Sequence, residues 1–218
     1  MKPRYLTQES LLADIKSELP RLIFLTGKTS TGKTTLSNLI GGFGYQVIML
    51  DSIVKESVIK KFDVVKEEEA FPVYHDNVPK EWVDSFVEAV RAEIRVSAEK
   101  GPVLIEGALA DNELIKRIFY DAFEEFTFIF LLPINIPLYA HRIQKRFMKG
   151  IKTNTTGLPK QFFEIVTPTE IETFLQTEKV NTALAKQLKA FATESAEESK
   201  RRLAYFKESN PSISVLEI

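Results

Sequence analysis

The chain has 218 residues, a formal net charge of -1, 44% hydrophobic and 27% charged residues, and no cysteine. That length suits one domain with appendages, and the balanced charge leaves no global basic field for nucleic acid or an anionic membrane. Without cysteine there are no disulfides, thiolate metal sites or cysteine nucleophiles.

Residues 1–10 turn polar at once and lack the apolar core of a signal peptide. No apolar run reaches the roughly 20 residues of a bilayer span. The expectation is a cytoplasmic protein with no membrane or nucleic-acid partner.

Leu11, Leu12, Ile15 and Leu19 recur at helical spacing, which predicts an amphipathic helix over 9–19, ended by Pro20. Residues 21–26 form a continuous apolar run, the pattern of a strand buried on both faces. A Gly-rich loop follows, then a helix over 34–40 closed by Gly41 and Gly42. Residues 45–50 predict a second buried strand ending at Asp51, and 52–79 read as charged and partly helical.

A long helix over 80–100 carries Trp82, Phe86, Val90 and Ile94 along one side, which assigns Trp82 to packing. Residues 103–105 predict a third strand, 112–123 a helix, 126–132 a fourth strand and 138–149 a basic helix. A Thr-rich loop covers 150–159, a mostly helical stretch 170–206, and a fifth strand 213–218. Strands alternating with helices imply crossover units around a parallel sheet. The expected fold is α/β: a three-layer α/β/α sandwich with a mostly parallel five-stranded sheet, a helical lid and C-terminal helices. Residues 1–218 read as one domain, with an acceptor-binding segment at 52–80 and a lid at 138–160. The Ala-rich stretch 181–206 has two candidate partners, its own sheet or a second copy in a homodimer.

Gly27-Lys28-Thr29-Ser30-Thr31-Gly32-Lys33-Thr34 matches the phosphate-loop pattern G-x-x-x-x-G-K-[ST] in full. Its two glycines let the backbone curl so that successive N–H groups converge, and the following helix N-terminus adds positive potential. The match lies between a predicted strand and a predicted helix, the context the motif requires. The nucleotide-binding set is therefore Gly27, Lys28, Thr29, Ser30, Thr31, Gly32, Lys33, Thr34 and Thr35. Lys33 is suited to the β- and γ-phosphates of ATP and Thr34 to Mg²⁺.

Ligands of open parallel sheets bind beyond the carboxyl ends of the strands. Asp51 and Glu106 follow the second and third strands there. Asp51 is assigned as catalytic base or substrate anchor, and Glu106 as a catalytic carboxylate serving the metal with Thr34. Arg142, Arg146 and Lys149 share one face of the basic helix. Arg142 and Arg146 are candidates to balance charge on a transferring phosphoryl. Tyr74 and Asp76 are candidates for the acceptor pocket, while His141 reads as an ordinary surface or core histidine.

Residues 27–35, the Met49-Leu50-Asp51-Ser52 strand end, the Val103-Leu104-Ile105-Glu106-Gly107 strand and the basic helix together resemble the uridine kinase-like group of P-loop kinases, over about residues 21–150. The resemblance implies that Asp51 acts on the substrate hydroxyl, that Glu106-Gly107 is the group's Glu-Gly pair, and that Arg142 and Arg146 stand for its lid arginines. Ile136-Pro137-Leu138 replaces the acid and first arginine that the group carries before its lid helix. Phe71-Pro72-Val73-Tyr74-His75-Asp76 echoes its base-recognition segment.

No arginine occurs between Arg21 and Arg91. Forked guanidiniums suit an acceptor phosphate, so a segment with lysines only favours a hydroxyl acceptor in a nucleoside, sugar or vitamin. A nucleoside monophosphate kinase and a non-kinase nucleotide-binding regulator or ATPase stand as alternatives. A GTPase is disfavoured, because Asn112 and Asn154 lack the Asn-Lys-x-Asp context that reads guanine.

Overall fold

Alternate residues of the central strands enter opposite hydrophobic clusters, as the period of two along an extended chain requires. Leu22 and Phe24 pack on one side of the sheet, and Ile23 and Leu25 on the other. Phe128 and Phe130 alternate in the same way with Ile129 and Leu131. Both faces are covered, which is why these strands read as unbroken apolar runs.

The computed structural model describes residues 4–65, 78–109, 111–123, 125–153, 169, 172, 182–209 and 212–218. Its strands are β1 (Arg4–Leu6), β2 (Leu22–Gly27), β3 (Gln46–Met49), β4 (Val103–Glu106), β5 (Thr127–Leu132) and β6 (Ser214–Glu217). They form one sheet in the order β1-β6-β5-β2-β4-β3, and every neighbouring pair is parallel.

The helices are α1 (Gln8–Glu18), α2 (Lys33–Gly41), α3 (Leu50–Val54), α4 (Lys80–Ala98), α5 (Asn112–Ile115), α6 (Ile136–Thr153) and α7 (Thr182–Ser209). One π-helical turn continues α3 over Lys55–Ile59 and another continues α5 over Lys116–Tyr120. Leu11 and Ile15 of α1 and Leu36 and Ile40 of α2 cover one face of the sheet. Val54, Phe86, Val90, Ile115, Leu203 and Phe206 cover the other. The expected three layers are present.

The sheet departs from the expected one in two respects. It has six parallel strands rather than five, because residues 4–6 pair with β6. Arg4 and Tyr5 are exposed, so backbone pairing makes this strand and no buried side-chain pattern announces it. In addition, β3 lies at the edge of the sheet, paired among the described residues only with β4, and is not a fully buried strand. Val47 and Met49 are exposed while Ile48 is buried. The chain turns helical at Leu50, which places Asp51 in the first turn of α3.

Within the stretch 181–206, described from Thr182 onward, α7 packs against its own sheet and against α6. Phe206 of α7 packs its ring against Phe128, tilted at 5.5 Å, and against Phe130, edge-on at 5.8 Å, both in β5. The other end of α7 joins α6 in a separate cluster of Tyr139, Ile143, Phe147, Leu184, Leu188 and Ala192. No described helix is long and apolar enough to cross a membrane.

Candidate active site

The glycines of the loop are dictated by its shape. Gly27 ends β2 beside Leu131, at φ 153°; a Cβ there would lie 3.0 Å from both the Leu131 Cβ and its carbonyl oxygen. Gly32 is left-handed at φ 95°, ψ 17° and caps α2, a conformation glycine adopts without steric cost. Ser30 is also left-handed, at φ 62°.

Lys33 folds back over the loop, its Nζ donating to the carbonyls of Gly27 and Lys28, each at 2.9 Å. Burial lowers its pKa to about 8; the charges of Glu106 and Asp51 pull against that fall, and Arg146 adds to it. An ammonium with only carbonyl partners and a weakened hold on its proton gains from an anion, because a nearby negative charge favours the charged form.

Glu106 is buried, at 5% exposure. Strand parity puts it on the same face as Leu104, which is the α2 side. There its Oε1 accepts from the Thr34 hydroxyl at 2.8 Å, and its Oε2 accepts from the Ser37 hydroxyl at 2.7 Å. Thr34 and Ser37 lie one turn apart on α2 and so present both hydroxyls to one carboxylate. Gly107 follows because nothing larger fits. A Cβ there would sit 2.4 Å from Leu50 Cδ1 and 2.8 Å from Leu50 Cβ.

Two residues of α6 meet the loop. The Tyr139 hydroxyl donates to the Thr29 carbonyl at 3.0 Å, and Arg142 Nη1 donates to the Thr31 carbonyl at 3.2 Å. Burial pushes the Tyr139 hydroxyl up to about 12, so it stays a donor across the working pH range. The side chain of Asn135 caps α6 by accepting from the Leu138 N–H at 3.1 Å.

These elements enclose an open cavity of about 570 Å³. It is lined by residues 29–36 of the loop and α2, by Met49, Asp51 and Glu106, and by Arg142 and Arg146. Gly107, Ala108, Gln8, Leu131, Leu216 and Ile218 complete the lining. Thus Thr29, Ser30, Thr31, Gly32, Lys33, Thr34, Thr35, Asp51, Glu106, Arg142 and Arg146 line one space. Gly27 and Lys28 sit at the base of the loop, and the Lys28 side chain turns to Glu198 of α7. Tyr74, Asp76 and the lid residues beyond 153 lie outside the described residues.

Sequence reasoning missed Ser37, Tyr139 and Glu198. Ser37 stands three residues after Thr34, and Tyr139 three before Arg142; a search for polar neighbours on the same helix face would have found both. Glu198 has no local signal, because its partner Lys28 is remote in sequence.

Among the described residues, no group of three or more His, Asp or Glu side chains could hold a metal unaided. A Mg²⁺ ion shared with phosphate oxygens needs only one or two protein ligands. Thr34 Oγ1 and Glu106 Oε1, in contact at 2.8 Å, are hard oxygen donors that fit it.

No family model matches the chain, and no curated protein matches it. Among solved structures it is similar to a gluconokinase from Sinorhizobium meliloti 1021 at 15% identity, over 84% of this chain and 97% of that one, with a TM-score of 0.40. It is similar to shikimate kinase from Bacteroides thetaiotaomicron at 17% identity, over 85% and 97%, with a TM-score of 0.41. A structure of the PezAT chromosomal toxin-antitoxin system of Streptococcus pneumoniae gives 14% identity, over 92% and 96%, with a TM-score of 0.39. The class is defined by the chain's own sheet and loop: an α/β protein with a parallel sheet and a phosphate-loop motif.

Proposed function

We propose that this chain is an ATP- and Mg²⁺-dependent kinase that transfers the γ-phosphoryl group to a hydroxyl of a small molecule, in the manner of the uridine kinase-like enzymes its motifs resemble. The observation that carries this reading is one cavity holding Lys33 and Thr34 of the phosphate loop, the carboxylates Asp51 and Glu106, and the guanidinium-bearing Arg142 and Arg146. Nucleotide binding alone needs the loop. A second carboxylate beside it and cations from a separate helix are what phosphoryl transfer adds.

In the proposed reaction, Lys33 exchanges its two carbonyl partners for β- and γ-phosphate oxygens, and the loop N–H groups hold the rest of the phosphate chain. Mg²⁺ held by Thr34 and Glu106 would neutralise charge on the β- and γ-phosphates. Asp51 takes the proton of the acceptor hydroxyl as its oxygen bonds to the γ-phosphorus. The bond from that phosphorus to the β–γ bridging oxygen breaks, and ADP leaves with the electron pair. Arg146 and Arg142 offset the charge on the equatorial oxygens. A hydroxyl acceptor is favoured over a monophosphate because the stretch between Arg21 and Arg91 contains no arginine. Nucleosides, sugars and vitamins are the candidate acceptors.

The test is incubation with Mg²⁺-ATP and a pooled library of nucleosides, nucleotides, sugars and vitamins, read by mass spectrometry for a gain of one phosphate. A product that disappears with Lys33→Ala supports the kinase and names the acceptor class. A phosphorylated monophosphate would move the reading to a nucleoside monophosphate kinase. ATP binding with no product, together with nucleotide-dependent capture of a protein partner, would replace it with a regulator.

A further inference from the structure

The phosphate loop contains a backbone position that is braced from outside the loop as well as from within it. Ser30 is left-handed at φ 62°, and its buried hydroxyl has no hydrogen-bond partner among the described residues. A left-handed non-glycine residue persists where its surroundings over-determine it. Within the loop, the Thr31 hydroxyl donates to the Lys28 carbonyl at 2.7 Å and Lys33 donates to the carbonyls of Gly27 and Lys28. Further restraints lie on both sides of Ser30 and come from outside the strand–loop–helix unit. Before it, the Lys28 ammonium pairs with Glu198 of α7, and the Tyr139 hydroxyl of α6 donates to the Thr29 carbonyl at 3.0 Å. After it, Arg142 of α6 donates to the Thr31 carbonyl at 3.2 Å.

These restraints fix N–H directions as well. Across a planar trans peptide the C=O and the next N–H point in opposite directions. Anchoring the carbonyls of Thr29 and Thr31 therefore sets the N–H groups of Ser30 and Gly32, two of the donors a phosphate would meet. The anchors are themselves held. Arg202 pairs with Glu198 at 2.7 Å, α6 and α7 share a hydrophobic cluster, and α7 is fastened to the sheet through Leu203 and Phe206.

We propose that α6 and α7 form a splint that keeps the phosphate loop in its anion-binding shape, with Tyr139 and Glu198 as positioning residues that raise its affinity for a nucleoside triphosphate. The affinity part rests on the nucleotide-binding reading above; the splint itself does not. Preformed donor geometry removes an ordering cost from binding. The effect should be the same whichever base the nucleotide carries, because it acts on the loop.

The experiment compares the full-length wild type with Tyr139→Phe, which removes one hydroxyl and no charge, and with Glu198→Gln. Hydrogen–deuterium exchange without ligand reads the amides of residues 28–33. Calorimetry with Mg²⁺-ATP and Mg²⁺-GTP reads affinity, at salt high enough to screen the charge that Glu198→Gln leaves on Lys28. Loop exchange is expected to rise and affinity to fall by about five- to tenfold in each variant, the scale of one lost hydrogen bond, equally for both nucleotides. Exchange and affinity within twofold of wild type in a folded Tyr139→Phe would overturn the proposal, as would faster exchange spread over the whole chain. If Glu198→Gln does not fold, Tyr139→Phe decides. If the wild type binds neither nucleotide, the functional reading fails, and the loop exchange still decides whether the splint exists.

Discussion

The Thr34 hydroxyl donates to Glu106 at 2.8 Å, joining the first turn of α2 to the end of β4. Ser37 occupies the other carboxylate oxygen at 2.7 Å, so both oxygens of this buried side chain are committed to α2. Glu106→Gln preserves the shape but removes the charge and turns one acceptor into a donor facing a hydroxyl. The expected result is a fall in turnover of about 10²-fold or more, the usual loss when one electrostatic contributor is removed, with a higher Mg²⁺ concentration needed for half-maximal rate. A Mg²⁺ titration of the initial rate checks it. An unchanged half-saturation point would remove Glu106 from the metal site.

Asp51 lines the same cavity and is exposed, in contrast to buried Glu106. A carboxylate in that position faces the space an acceptor hydroxyl would enter. Asp51→Asn is expected to lower kcat by about 10²- to 10⁴-fold, the range of a general base, while the Kd for Mg²⁺-ATP changes by less than about threefold, well under 1.4 kcal/mol. Steady-state rates and calorimetry on the same preparation separate the two effects.

The parts of this site legible in the sequence are those written contiguously. Residues 27–34 form a contiguous turn whose glycines sit where its backbone needs them, so the pattern announces the turn even though contacts from α6 and α7 brace it. Glu106 was legible because it directly follows the short apolar run of β4. The edge position of β3 was not, since Val47 and Met49 are as apolar as Ile48 and only tertiary neighbours decide which is covered. The pairing of β1 with β6 left no pattern in residues 4–6, because backbone groups make it. Glu198 was invisible for a related reason: its role depends on α7 lying beside Lys28, which no local periodicity encodes.

Gly107 yields a prediction about stability rather than chemistry. A Cβ at this position would lie 2.4, 2.7 and 2.8 Å from three atoms of Leu50, itself fully buried at the start of α3. Gly107→Ala must therefore displace α3 or the end of β4, at a cost of about 1–3 kcal/mol for an overpacked core. Thermal unfolding should show a drop of about 2–4 °C for each kcal/mol. Leu50→Ala would cost stability by itself, by about 2–5 kcal/mol, yet the double variant should be more stable than the sum of the two losses implies. Strict additivity would exclude the contact as the cause.

Lys33 sets the pH dependence of binding. Its folded pKa of about 8 lies below the ordinary 10.5, chiefly through burial. From about pH 8 upward the loop progressively loses the charge that meets the phosphates. The affinity for Mg²⁺-ATP should hold between pH 6.5 and 7.5 and fall about tenfold per unit once the pH is well above 8, with proton uptake on binding in that range. Stability responds in the opposite sense. Between pH 8 and 10.5 the folded chain binds fewer protons at this position than the unfolded one, so this group's contribution to stability rises as the pH rises through that window. Lys33→Met should abolish the pH slope of the remaining affinity. It should also reduce the rise in denaturation midpoint above pH 8. Calorimetry in buffers of different ionisation heat measures the proton uptake, and its absence at pH 9 in the wild type would show that Lys33 keeps its charge without the nucleotide.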